Sequence, residues 1–255
     1  MFRYLFLSPS PQVDLRASRA WRVLPHSSTA APPPLMRRET VQLRVISSPL
    51  HPDQRRVGLA LIGSDYVEQF DDRLVQAIRD LREITLWYEY IAVSDHEFPT
   101  TDANYYNDLQ LQTQYSLFSS SSGQQEGSSG YLQEACRIGL LVYAYAPSLP
   151  RSSVAIVIRK LELDLLGVMN RCFLRVEAQP DVARGELLMW ALFLTAYAFE
   201  DEPEWPGIKA LLARTGRRLG LVDWEAVRNR LLGFLYTDKV YQELYRMIWI
   251  EAMKV

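Results

Sequence analysis

From about Asp65 onward, apolar residues return at spacings of three and four. Val67, Phe70, Leu74, Ile78, Leu81 and Ile84 mark one face of a long helix that should end before Pro99. Asp102 is placed to cap the next helix, with Tyr105, Leu109, Leu111 and Tyr115 as its apolar members. Ser119 to Gly130 is almost pure Ser, Gln and Gly, has nothing to bury, and reads as a flexible loop. Further helices follow. Tyr131 to Ala146 stops at Pro147, and Ser152 or Ser153 can cap a helix bearing Val154, Val157, Leu161, Leu165 and Val168. Pro180-Asp181 opens the most hydrophobic helix, which runs through Leu187, Leu188, Ala191, Leu192 and Thr195. Trp205-Pro206 opens another, through Ile208, Leu211 and Leu212, closed by Gly220 after Arg217-Arg218. Asp223 caps the next, with Val227, Leu231 and Phe234, and a final helix carries Val240, Leu244, Met247 and Ile248. The Trp190, Trp205 and Trp224 segments do not align as repeats. The fold class expected is all-α, a single irregular multi-helix domain over residues 65–255.

Residues 1–64 have a different pattern and read as a Pro- and Arg-rich, largely unstructured arm or linker. The first sixty residues hold eight of the fourteen prolines, and nine Arg against three Asp or Glu. The rest of the chain carries 19 basic and 27 acidic residues, so a basic arm precedes an acidic body. Arg37 to Ile46 alternates loosely and is compatible with a strand. Val57 to Ile62 is a short apolar run compatible with strand or helix. Arg16, Arg19, Arg22, Arg37, Arg38 and Arg44 are sparser than a nuclear-import cluster or a DNA-binding arm.

The chain has 255 residues, 48% of them hydrophobic, and a formal charge of −2. That supports a real core and argues against a polyanion binder. The longest uncharged helical run, Leu187 to Phe199, is thirteen residues, short of the ~20 a bilayer span needs. The apolar patch Met1 to Leu7 is cut by Ser8-Pro9-Ser10-Pro11, so neither a membrane nor secretion is expected.

Candidate chemistry is sparse. Cys136 and Cys172 lie in apolar helical contexts and read as buried free thiols of a reducing compartment. His26, His51 and His96 lack ligand-spaced partners, and Asp95-His96-Glu97 reads as a solvated turn. The Glu200, Asp201, Glu202 and Glu204 carboxylates read as negative charge favouring the following helix N-terminus. Arg214, Arg217 and Arg218 read as an exposed helix face rather than a phosphate contact. Trp190, Trp224, Trp249, Tyr236, Tyr241 and Tyr245 read mainly as core, with one or two free to anchor a partner. No catalytic, cofactor-binding or metal-ligating residue is assigned, and no cofactor is expected.

Four segments carry a family resemblance. They are Leu132-Gln133-Glu134-Ala135-Cys136-Arg137-Ile138-Gly139-Leu140, then Leu187 to Leu194, then Leu211 to Leu221, and last Asp223-Trp224-Glu225-Ala226-Val227 with Leu231 to Tyr236. Their order resembles the fungal-specific transcription factor domain of Zn2Cys6 regulators. That family has an "EACRLALLLY"-type helix, an "LLWALFLG"-like helix, a helix ending "ARRLGL" and a "SWEEV…LxxFLW" helix. Tyr236 stands where that pattern has tryptophan. The resemblance covers roughly residues 65–255. It implies an all-α, non-catalytic regulatory domain in the nucleus, acting through a protein partner or a small-molecule effector. Residues 1–64 contain no cysteine, so the zinc-cluster head is missing from this chain and direct sequence-specific DNA binding through it is not expected. Pairing with a full-length Zn2Cys6 regulator is the role that remains. The alternatives are a generic cytosolic all-α scaffold and an enzyme whose helical pocket holds an unrecognised carboxylate pair.

Overall fold

The computed structural model describes residues 50, 52–63, 65–93, 100–120, 128–145, 155–176, 181–199 and 202–255. Among the described residues every regular element is helical and no strand occurs, as the period of the apolar residues predicts. Two short helices, α1 (Pro52–Arg55) and α2 (Leu59–Ile62), come first. A 3-10 turn (Asp65–Gln69) leads into α3 (Asp72–Val93). Then follow α4 (Thr100–Ser119), α5 (Ser128–Tyr145), α6 (Ala155–Val176) and α7 (Val182–Ala198). The chain closes with α8 (Trp205–Arg218), α9 (Trp224–Leu231) and α10 (Asp238–Ala252). None of the described helices is long and apolar enough to cross a membrane.

Several boundaries follow from local chemistry. Asp181 accepts the Arg184 amide at 3.2 Å and Asp223 accepts the Ala226 amide at 2.8 Å, so both cap helices as expected. Gly220 has φ of +67° and ends α8. There the Leu221 amide reaches the Gly216 carbonyl at 2.9 Å and the Gly220 amide reaches Arg217 at 3.2 Å, the paired bonds of a Schellman stop. The periodic stretch from Asp65, in contrast, is two elements. Asp71 takes the Leu74 amide at 2.7 Å and starts α3 afresh, while Gln133 of α5 holds its other oxygen at 2.6 Å. Asp102 lies inside α4 rather than before it. Ser128 to Gly130 belong to α5, so the Ser/Gln/Gly loop is shorter than its composition suggests.

The core is one continuous apolar cluster with α7 at its centre. Every residue from Leu187 to Phe193 is 0% exposed, because α5, α6, α8 and α10 all pack against this helix. A helix apolar on all sides needs such an enclosure. α3 packs along α4, and α5 along α6. α8 crosses α10 at Gly216, where a Cβ would stand 2.3 Å from the Trp249 ring.

Three expectations are corrected by the packing. Val57 and Leu61 are 1% and 0% exposed, so residues 50–63 belong to the body rather than to an arm ending at 64, and Val57 to Ile62 is helical at its end. In α4 Tyr105 and Leu109 are buried as expected, but Leu111 and Tyr115 point outward, and Tyr106, Gln110, Thr113 and Leu117 complete the buried face. The reason is at the end of α5. There Gln110 and Gln114 donate to the Ala144 carbonyl at 3.0 and 3.3 Å. In α10 the buried line is Tyr241, Tyr245, Ile248 and Ala252, leaving Val240 and Met247 exposed. Bulky aromatic rings outcompete smaller aliphatic ones for the space beside Phe193. The Arg37–Ile46 run, the N-terminal arginines, Ser152, Ser153 and Val154 lie outside the described residues.

Candidate functional site: a buried polar cluster and an aromatic motif unit

The buried face of α3 runs Leu74, Ile78, Leu81 and then turns polar at Thr85 and Glu89. Glu89 is 5% exposed. The Gln54 amide of α1 donates to its Oε2 at 2.5 Å, and the Thr237 hydroxyl at the start of α10 also donates to it. Burial pushes the Glu89 carboxyl above the usual carboxylate range, against the opposing pull of Gln54, Lys239 and Thr237. One turn earlier, the Thr85 hydroxyl donates to the Leu81 carbonyl at 2.7 Å and shares a 3.0 Å contact with the Tyr143 hydroxyl of α5. Burial pushes the Tyr143 phenol up in turn.

Beside this cluster, Arg228 of α9 makes a two-pronged bond to Asp238 at 3.0 and 2.6 Å. Asp53 stands 3.8 Å and Glu225 3.7 Å from the same guanidinium. The Tyr236 hydroxyl donates to Asp238 at 2.9 Å. The Asp238 bond raises the affinity of Arg228 for its proton, and burial followed by Asp238 raises that of Tyr236. Chemically the arrangement is a titratable hub that ties α1, α3, α5, α9 and α10 together. Among the described residues no three His, Cys, Asp or Glu side chains converge to hold a metal ion. An open depression of about 320 Å³ lies elsewhere, floored by Ile62, Val67 and Phe70 and rimmed by Asp65, Glu68 and Asp72.

The groups singled out by the sequence fall as follows. Cys136 and Cys172 are buried free thiols, and burial pushes the Cys136 thiol up. His26, His51 and His96, with Asp95 and Glu97, lie outside the described residues, as do Glu200 and Asp201. Glu202 and Glu204 directly precede α8 as expected, with Glu204 at the N-cap position but making no side-chain cap bond. They flank the Arg159 guanidinium of α6 at 3.6 and 3.9 Å, and that group also sits 4.1 Å over the Phe199 ring. Arg214, Arg217 and Arg218 are on the exposed face of α8. Glu89 escaped the sequence reading because a carboxylate in register with an apolar stripe reads as the end of that stripe. The signal available was the continuation of Leu74, Ile78 and Leu81 at i+4 steps into Thr85 and Glu89.

The segments that carry the family resemblance meet in space. Trp190 of α7 donates its indole N–H to the Leu235 carbonyl at 3.1 Å and stacks on Phe234 at 6.0 Å. Phe193 stacks on Tyr245 at 4.9 Å and meets Trp224 edge-on at 6.3 Å. Tyr236, Tyr241 and Tyr245 form a further ring cluster. α5 closes on α7 at Gly139, where a Cβ would be 3.0 Å from Trp190. No family model, curated protein or solved structure matches the chain.

Proposed function

We propose that this chain is a non-catalytic transcription-regulatory domain of the fungal-specific transcription factor type, working in the nucleus through a protein partner. One observation carries the reading. The segments whose order resembles that family are one packed unit, in which Trp190 of one segment is bonded to Leu235 of another. A chance likeness of Leu- and Ala-rich composition does not require such mutual contact. The proposed partner is a full-length zinc-cluster regulator, which supplies the DNA contacts. The outward stripe of α4 supports a partner face, since Leu111, Tyr115 and Phe118 are 58%, 76% and 43% exposed and share one side of the helix.

The test is co-purification of the tagged full-length chain from nuclear extract of a fungal host. Recovery of a zinc-cluster regulator, reduced by Tyr115→Ala, is the expected outcome. A chain confined to the cytosol, with no such regulator recovered, favours the general scaffold reading instead.

A further inference from the structure

We propose that residues 50–63 are a releasable strap, docked on the corner of α3 and the α9–α10 turn, and that ionisation of Glu89 controls its hold. This inference does not depend on the transcriptional reading.

The strap is a distinct element by construction. Its two helices are four residues each. Helices of that length do not persist alone, because nucleation costs more than a single turn returns. They exist only while docked, so release and melting are one event. Docking rests on Leu50, Val57 and Leu61, all buried, and on backbone contacts to the turn after α9. The Gly58 amide donates to the Phe234 carbonyl at 3.0 Å, and the Ala60 amide to the Gly233 carbonyl at 2.8 Å. Two arginines hold strap and body together through carbonyls. Arg82 of α3 donates to Val57 and Arg55 at 2.8 and 3.1 Å, and Arg56 of the strap donates to Asn229 at 3.0 Å. The Gln54–Glu89 bond differs from these in that its acceptor is a buried carboxyl group.

The groups facing Glu89 set the sign. Gln54 and Asp53 come from α1, Tyr143 from α5, and Thr237, Asp238 and Lys239 from the start of α10, with Arg228 of α9 already engaged by Asp238. The α4 tyrosines meet α3 elsewhere, Tyr105 at Glu83 and Tyr106 on Trp87. Lys239 is thus the cation beside Glu89, and Asp238 opposes it. A buried carboxylate in this setting favours its neutral form, as its raised proton affinity reflects. The docked state therefore binds the proton more tightly than a state in which Glu89 meets water. Its contribution to docking is complete below the ordinary carboxylate range, near ~4.3, and is lost as pH rises through the raised value. Moving α1 is the easiest way to admit water, because every other element around Glu89 is longer and anchored in the core.

Hydrogen exchange of the full-length chain tests this, read on the peptide spanning residues 52–63 and corrected for intrinsic exchange. As pH rises from the ordinary carboxylate range, near ~4.3, its protection should fall several-fold, while the Leu187–Phe193 segment of α7 holds constant. Glu89→Gln keeps the hydrogen-bonding shape without the charge, and should hold the strap at its low-pH protection throughout. Gln54→Leu should lower strap protection at the acidic end, independently of the first variant. Equal loss of protection in wild type and Glu89→Gln, or a pH-independent strap in the wild type, would overturn the proposal. So would unchanged protection in Gln54→Leu.

Discussion

Trp190 joins the largest number of roles in a single side chain. It fills the centre of the core at 0% exposure, and its indole N–H satisfies the Leu235 carbonyl in the turn between α9 and α10. Trp190→Phe keeps an aromatic ring but leaves that carbonyl without its donor and opens space beside Gly139. The expected cost is about 1–3 kcal/mol for the unsatisfied group, read as a lower urea midpoint with an unchanged slope. Glu89 shows the opposite balance. Its neighbours offset its burial only in part, so it stabilises the fold most when protonated. For this group alone, stability should decline as pH rises from the acidic range, and Glu89→Gln should raise the thermal midpoint at neutral pH and flatten that dependence. Thermal melts of the two proteins across the pH range check both.

Among the elements, α9 is short enough, at eight residues, for its Asp223 cap to matter. Asp223→Ala removes its side-chain cap and should cost about 1 kcal/mol, measured by denaturant unfolding. α4 poses the sharper test of packing, because Gln110, Thr113 and Gln114 are buried while Leu111, Tyr115 and Phe118 are exposed. Gln110→Ala deletes a buried donor to the Ala144 carbonyl and should cost about 1–3 kcal/mol. Tyr115→Ala, on the opposite side of the same helix, should change stability by no more than about 0.5 kcal/mol. The two variants, compared by the same melt, separate the structural face of α4 from the face left for a partner.

For the whole molecule, the boundary of the body decides what can be cut. A chain beginning at residue 65 loses Leu50, Val57 and Leu61 from the core, each fully buried apolar side chain contributing about 1.5–3 kcal/mol. It also leaves the Gly233 and Phe234 carbonyls without the strap amides. That truncation should unfold at clearly lower urea than the full chain. An unchanged midpoint would show that the body needs nothing before residue 65.

What the sequence by itself determined is local. Helical period, the caps at Asp181 and Asp223 and the stop at Gly220 depend on neighbours within a turn or two, so they are legible without coordinates. The tertiary structure decided which face of an ambiguous helix turns inward. In α4 that choice depends on a carbonyl at the far end of α5, and in α10 on the rings of α7. It also decided that residues 50–63 dock, because four-residue helices acquire stability only from the surface they cover. The Glu89 cluster draws on α1, α3, α5 and α10, so no single stretch of sequence reveals it, and the low dielectric of the core gives its charge an energetic consequence.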